Sequence, residues 1–456
     1  MEEQNISRRG LLGAGLLGAG AFVVATSAQA KTPAKYTGTA LDASSFGLKP
    51  DSKDNQTAKL MAAIKAAQHT QKPLFIPAGR YVISDLTISA PVTLQGMAGA
   101  TVLLFAGGQE FIRLEHAEKI SFSGLTFDGQ TKKFDDGDKR GLVTAQNISG
   151  FMIEDCVFQN SHANGLALLE CSGYIGRVEA RDILQTGIFS LDAQGLEIAQ
   201  CHVHECGNNG IQIWRSSTGP DNSQVTHNQI ENIRADAGGS GQNGNGINVF
   251  RAGNVLISEN RVKSCAFSAI RSNKADSCQV LGNNCSDLAE VAIYAEFGFE
   301  GAIISGNFIE RAASGISITN FKEGGRMAVC ANNIIRDLFS GKEPEPRGVG
   351  IAVEADTVVS CNVVENTPEI GIALGWGRYL RDVVASNNVV RKAKIGFAVS
   401  VAKGAGSALI TSNLISGSTQ SALSGFDHLK RIAPDLIDAE VLKQYSHIQI
   451  SDNLIT

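Results

Sequence analysis

The chain has 456 residues, with 40 Lys and Arg against 45 Asp and Glu and a formal net charge of −5 at pH 7. That mildly acidic balance offers no basic field for a nucleic acid, and past residue 30 no apolar run approaches the roughly 20 residues of a membrane span. The nine cysteines, an odd number, lack metal-finger spacing; Cys156, Cys201, Cys265, Cys278, Cys330 and Cys361 fall in or beside short apolar strands and are expected to be buried thiols.

In chain order, the first element is "SRRGLLGAGLLGAGAFVVATSAQA", Ser7 to Ala30. Arg8 and Arg9 precede an apolar run from Leu11 to Ala25, and a small-residue "AQA" closes it, the pattern of a cleaved export signal over residues 1–30. The paired arginines resemble a twin-arginine signal. That resemblance implies the twin-arginine translocase as a partner during export, and a periplasmic or secreted protein with no membrane association once mature. Residues 31–110 read as a cap. Within "LDASSFGLKPDSKDNQTAKLMAAIKAAQHTQKPLFIPAGRYVISDLTISAPVTLQG" a turn precedes a helix over Asn55–His69, then strands follow.

From residue 111 to 456 one phrase recurs: "NGLAL", "TGIFSL", "NGIQIW", "NGINVF", "SAIRSN", "VAIYAE", "SGISIT", "VGIAVE", "IGIAL", "IGFAV". Its Gly or Ala marker falls at 165, 187, 210, 246, 269, 292, 315, 350, 371 and 396, mostly 21–25 residues apart. A second phrase runs in step ("VTHNQI", "ISENRV", "ISGNFI") and places Asn228, Asn260, Asn307, Asn362, Asn387, Asn413 and Asn453 at one turn. A repeat this short cannot bury its own apolar face, so copies must stack. The expected fold is all-β: a single-stranded right-handed parallel β-helix of about 12 coils at ~4.8 Å each, with an N-terminal cap holding one helix. The asparagines form a structural column at one corner. A short amphipathic helix is expected near 433–445.

The cap, in "FGLKPDSKDNQTAKLMAAI" and "LFIPAGRY", resembles that of pectate-lyase-like β-helix proteins. Signal, cap and repeats together resemble a family of twin-arginine-translocated repeat proteins, whose repeats are similar to those of alginate epimerases. The resemblance spans nearly the whole chain and implies a carbohydrate-active protein. Departures limit it. Asn208–Asn209 stand where polygalacturonases carry paired Asp, and the "DPHD" of alginate epimerases is absent. The "DDGD" at Asp135–Asp138 offers only a weak calcium loop.

Two repeats are about twelve residues too long, by insertions at 235–246 and 338–350 in the same phase. They are expected to project from one edge as lips of a trough. Strand alternation makes its floor from Gln212/Trp214, Asn248/Phe250, Arg271/Asn273, Tyr294/Glu296, Ser317/Thr319 and Ala352/Glu354, with Arg215, Arg251, Lys274 and Asp356 just beyond. Aromatic rings suit sugar faces, and the cations suit carboxylates. Gln212, Trp214, Arg215, Asn248, Phe250, Arg251, Asn273 and Lys274 are the expected binding residues for an acidic polysaccharide. Tyr294, Glu296, Arg271 and Glu354 are the expected catalytic ones. In a lyase or epimerase, Tyr294 or Glu296 exchanges the proton while Arg271 or Arg251 holds the uronate carboxylate. In a glycosidase, Glu296 and Glu354 flank the bond, about 9.6 Å apart. A non-catalytic polysaccharide-binding or envelope scaffold is a further reading. So is a periplasmic metal protein, because "CHVHEC" sets His202 and His204 on one outward face, with His162 and His227 in nearby coils. No cofactor is identified, and no metal ligand is assigned.

Overall fold

The computed structural model describes residues 40–135, 140–239, 241–340 and 348–456. The export signal, residues 136–138 of the "DDGD" loop and residues 341–347 of the second insertion lie outside the described residues.

Each coil contributes three short strands. In one coil these are Gln224–Thr226, Gln229–Ile233 and Asn245–Gly253. Strands of successive coils pair in parallel, so three stacks run along the rod. The first stack is a sheet of 16 strands, and the solenoid is right-handed with about 13 turns against the 12 expected. The third stack is built from the recurring Gly-Ile phrase. Alternation sends Ile211, Ile213, Ile247 and Val249 into the core, each fully buried. The one antiparallel pair of strands among the described residues, Ser421–Asp427 with Lys430–Ala433, lies near the C-terminal end.

The marker glycines are explained by close approach. A Cβ on Gly210 would lie 2.6 Å from the Gly246 carbonyl oxygen, and one on Gly371 would lie 2.6 Å from that of Gly396. The next coil's backbone already fills the space a side chain needs.

The cap helix α1, Thr57–Thr70, buries Leu60, Ala63, Ile64 and Ala67 against the first coils. The helix expected near 433–445 is reduced to one turn, α2, Ala439–Leu442. Pairing of Lys430–Ala433 into a hairpin takes up the start of that segment.

The corner between the first and second stacks has a two-residue rule. The first residue adopts left-handed backbone, as His227, Glu259, Asn332, Cys361 and Asn387 do. The second points inward. The inward residues are Asn228, Asn260, Asn283, Asn307, Asn333, Asn362, Asn388, Asn413 and Asn453. Each amide of this column donates to the next asparagine's side-chain oxygen, as Asn307 Nδ2 does to Asn333 Oδ1 at 3.0 Å, until Asn453 ends the run. This corrects the expected column at one point. Asn388, not Asn387, is the rung, because Asn387 is the left-handed residue outside it; Asn283 and Asn333 are rungs that the repeat phrase did not mark.

The same rule places the thiols. Cys156 and Cys201 occupy the inward corner position in earlier coils, and Cys201 N–H donates to Asn228 Oδ1 at 2.9 Å. Eight of the nine cysteines are buried and unpaired, and burial pushes thiols such as Cys201 and Cys330 up to about 12. Cys361 departs from the expectation: it is exposed, because it fills the outward left-handed position.

Truncating a mid-ladder rung tests this account. Asn307→Ala leaves the buried Asn283 N–H without its acceptor and takes one bond each from Asn283 Nδ2 and Asn333 Oδ1, and should lower unfolding free energy by roughly 2–4 kcal/mol. Asn387→Ala, one residue outside the ladder, should cost no more than about 1 kcal/mol. Denaturant titration of both variants separates the two; equal losses would remove the ladder from its structural role.

Candidate functional site

Register fixes two outward columns on the third stack. The first is Gln212, Asn248, Arg271, Tyr294, Ser317 and Ala352. The second is Trp214, Phe250, Asn273 and Glu296. It continues to Thr319 and Glu354, because Ala295 pairs with Ile318 and Ile318 with Val353. The columns are those expected from alternation, and Glu296 and Glu354 sit two coils apart, about 9.6 Å.

One end of this face is aromatic. Phe189, Trp214 and Phe250 step along the rod edge-to-face, with centroids 6.0 and 5.6 Å apart. Trp214 Nε1 donates to Asn248 Oδ1 at 3.0 Å, which fixes the ring. The Arg251 guanidinium lies 4.7 Å over Phe250. Arg215 Nη1 reaches the Ala193 carbonyl at 3.4 Å, and Lys274 is exposed at the rim.

The centre is a buried ion cluster. Arg271 forks onto Glu296, Nε to Oε1 at 2.6 Å and Nη2 to Oε2 at 2.9 Å. Its Nη1 donates to Glu290 Oε2 at 3.0 Å. Asn273 Nδ2 adds a 2.9 Å bond to Glu296, and the Arg271 guanidinium carbon lies 5.0 Å from the Tyr294 ring centroid. Arg271 and Glu296 were expected as an open cation and an open base. In the structure they saturate each other: Arg271 Nε and Nη2 are committed to Glu296 and Nη1 to Glu290, and Glu296 is 2% exposed. Burial pushes the Tyr294 phenol up, reinforced by the Glu296 charge, against the pull of a hydrogen bond from Thr319 and of Arg271.

The first insertion departs from the expected lip. It folds down over the centre. Asn209 Nδ2 and Asn248 Nδ2 donate to the Gln242 carbonyl at 3.0 and 3.3 Å, and Asn245 Nδ2 donates to Gly241 O at 2.8 Å. A Cβ on Gly241, at φ +131°, would fall 1.9 Å from Arg271 Nη1, so only glycine lets the backbone close on the guanidinium. Beside this cover runs a groove of about 830 Å³, with Ala235 from the first insertion and Phe339 from the second among its lining residues. Its floor includes Ser264, Ala266, Leu288 and Ala289, and not the strand face expected.

Glu354 differs from Glu296. It is buried, 8% exposed, and its carboxylate accepts from the Phe321 N–H at 2.6 Å. Burial pushes it up to about 7, against the pull of the Phe321 and Asn320 N–H groups. Neighbouring Asp356 is held low by its bonds to Arg381, and Arg326 adds to this. Sequence reasoning missed Glu290 and the 320–321 main chain. Glu290 lies at a register irregularity inside the strand Asn284–Glu296, between Leu288 and Val291, and the other two are 33–34 residues upstream of the carboxyl they hold.

On the second stack, Glu179, His202 and His204 bring ligand atoms within 4.8 Å of one another. His227 is apart from them, paired with Glu259 at 2.6 Å.

Residues 41–267 match a family model described as rhamnogalacturonase A/epimerase, pectate lyase-like, and residues 217–388 match one for a right-handed β-helix region. These matches support the pectate-lyase-like β-helix superfamily. Among solved structures, the N-terminal fragment of bacteriophage Phi29 gene product 12 aligns with a TM-score of 0.51 at 15% identity, over 91% of this chain and 70% of that one. The pre-mature form of that product gives 0.54 at 15% identity, over 84% of this chain and 54% of that one. The A-module of the Azotobacter vinelandii mannuronan C-5 epimerase AlgE6 gives 0.47 at 14%, over 91% and 99%. At these identities the likeness is one of fold. No curated protein matches the chain.

Two expectations follow. Arg271→Ala leaves Glu290 and Glu296 buried without their cation, so it should destabilise the protein by about 3–5 kcal/mol, measured by denaturant unfolding; a loss below about 1 kcal/mol would mean the cluster is open to water. Glu354 gives a pH signature. The folded state holds its proton to about pH 7, whereas the ordinary glutamate value is 4.5. Between these values the native state binds more protons than the unfolded state, so stability falls as pH rises through that window. Glu354→Gln, which cannot ionise, should gain about 3 kcal/mol on the parent across the same window. A difference independent of pH would show that Glu354 ionises normally.

Proposed function

We propose that this pectate-lyase-like β-helix protein acts on a polysaccharide lying along the third stack, and that the polymer is acidic. The observation that carries the reading is Glu354, a carboxyl poised near pH 7 on the same outward face as a staircase of aromatic rings. Rings of this kind offer flat apolar contact to sugar faces. Arg215, Arg251 and Lys274 along the rim supply charge for uronate carboxylates. A group whose pKa lies at the working pH serves in both directions of proton transfer.

The favoured chemistry is elimination or epimerisation at a uronate. Glu354 removes or returns the proton beside the carboxylate. Tyr294, kept protonated by burial, is the second proton carrier. Arg271 and Glu296 act beneath them as positioning residues: their fork holds the guanidinium against the Tyr294 ring. The column spacing favours one second reading, hydrolysis with Glu296 and Glu354 on either side of the bond, near the upper end of the inverting range of roughly 6.5–9.5 Å. Export through the twin-arginine pathway, as in the repeat proteins that the signal and cap resemble, would place this activity in the periplasm or outside the cell.

The test is turnover of uronate polymers by the mature protein. Ultraviolet absorbance of the new C=C bond follows elimination, solvent-deuterium exchange at the sugar follows epimerisation, and reducing ends follow hydrolysis. Glu354→Gln should lower kcat by about 10²–10⁴-fold with binding retained, and Trp214→Ala should weaken binding. Reducing ends without a C=C signal would move the assignment to hydrolysis. Binding with no turnover by any assay would make the protein a polysaccharide-binding scaffold. Loss of export on replacing Arg8 and Arg9 by Lys, followed by cell fractionation, tests the route.

A further inference from the structure

We infer that the second stack carries a site for a divalent transition-metal ion, built from Glu179, His202 and His204. The site is separate from the third-stack face and does not depend on the proposed turnover.

The strand His202–Cys206 sends Val203 into the core, fully buried, and so turns both histidines outward. Their rings stack, with centroids 4.2 Å apart and an interplanar angle of 26°. Register sets Glu179 in the coil before, directly across from His202, and Glu231 in the coil after, directly across from His204. His204 Nε2 lies 3.3 Å from Glu179 Oε1, and His202 Nε2 lies 2.9 Å from Glu231 Oε1. Each ring therefore turns the same nitrogen to a carboxylate oxygen. Binding of a metal ion at these nitrogens releases protons.

Two imidazoles and a carboxylate form a nitrogen-rich donor set, which selects Zn²⁺ or its transition-metal neighbours over the hard, oxygen-seeking Mg²⁺ and Ca²⁺. A spread of 4.8 Å among the three ligand atoms is closed by small side-chain rotations. Half-exposed side chains, 40% for His202 and 38% for Glu179, leave open positions for water or an exchangeable ligand.

The surrounding charges set its character. Arg181 Nε lies 3.4 Å from Glu179 Oε1 and competes for that oxygen. Lys263 Nζ lies 2.8 Å from Glu231 Oε2. Glu231, with Oε1 2.9 Å from His202 Nε2, is placed to take a fourth position. Competition from Arg181 and Lys263 makes this an exchangeable site rather than one the fold requires.

The experiment is calorimetric titration of Zn²⁺ into the full mature chain, free of any histidine tag and stripped with EDTA. One equivalent should bind near neutral pH, with a rise in melting temperature and proton release into the buffer. Mg²⁺ and Ca²⁺ should not compete. His202→Ala and His204→Ala should each abolish the binding, and Glu179→Gln should weaken it about tenfold or more. All three positions lie at the surface, so melting of the metal-free variants should match the parent and confirm that they fold. X-ray absorption on the Zn²⁺-loaded protein should show two imidazole nitrogens. No binding, or binding that survives the histidine substitutions, would overturn the assignment, whatever the outcome of the polysaccharide assays.

Discussion

From Asn228 to Asn413 every ladder amide donates twice, to the carboxamide oxygen of the next coil and to a main-chain carbonyl of the coil before. The corner of each coil is thereby locked one strand spacing, about 4.8 Å, above the last. A backbone free to slip by one residue would exchange the inward and outward faces of a strand. The ladder, together with glycines too crowded to accept a Cβ, removes that freedom. Outward side chains of unrelated repeats then fall into straight columns, although loops of different length separate them in sequence.

The candidate site is a consequence of those columns. Trp214 and Phe250 meet because their strands are in register across a repeat of 36 residues, not 23. The extra residues fold back over Arg271 rather than disturb the stack. The same spacing sets Glu296 and Glu354 on one line and gives them opposite neighbours. Glu296 has a guanidinium forked onto it. Among the described residues, Glu354 has only main-chain N–H groups from a segment 33–34 residues upstream. Without a cation to offset burial, a carboxyl takes up its proton at higher pH.

Much of this was legible in the sequence, because repetition reports geometry many times over. The Gly-Ile phrase gave the third stack and its outward residues, and the cap helix was misplaced by only a residue or two at its ends. Legibility stopped where a position is set by contacts outside its own repeat. The doublet Asn387–Asn388 reads alike at both positions, and only the left-handed backbone of the first tells them apart. Glu290, at a register shift within its strand, falls out of the alternation, so its hold on Arg271 leaves no trace in the strand pattern. The closure of a glycine-rich insertion onto a guanidinium is likewise invisible, since the same residues would serve a projecting loop.

The contrast between the two carboxylates bears on how a rigid solenoid can host chemistry at all. Its backbone is too tightly stacked to move groups toward a substrate, so reactivity has to be set by neighbours in adjacent coils. Arg271 is used up internally, and its charge is balanced by two carboxylates before any ligand arrives. It can stiffen the floor and orient Tyr294, but it cannot also bind a uronate without surrendering Glu296. The cations open to a ligand are those at the rim, among them Lys274, which is exposed. A polymer that needs its carboxylates neutralised would therefore be gripped along the edge of the face. Its ring atoms would then lie over Tyr294 and Glu354, the proposed proton carriers.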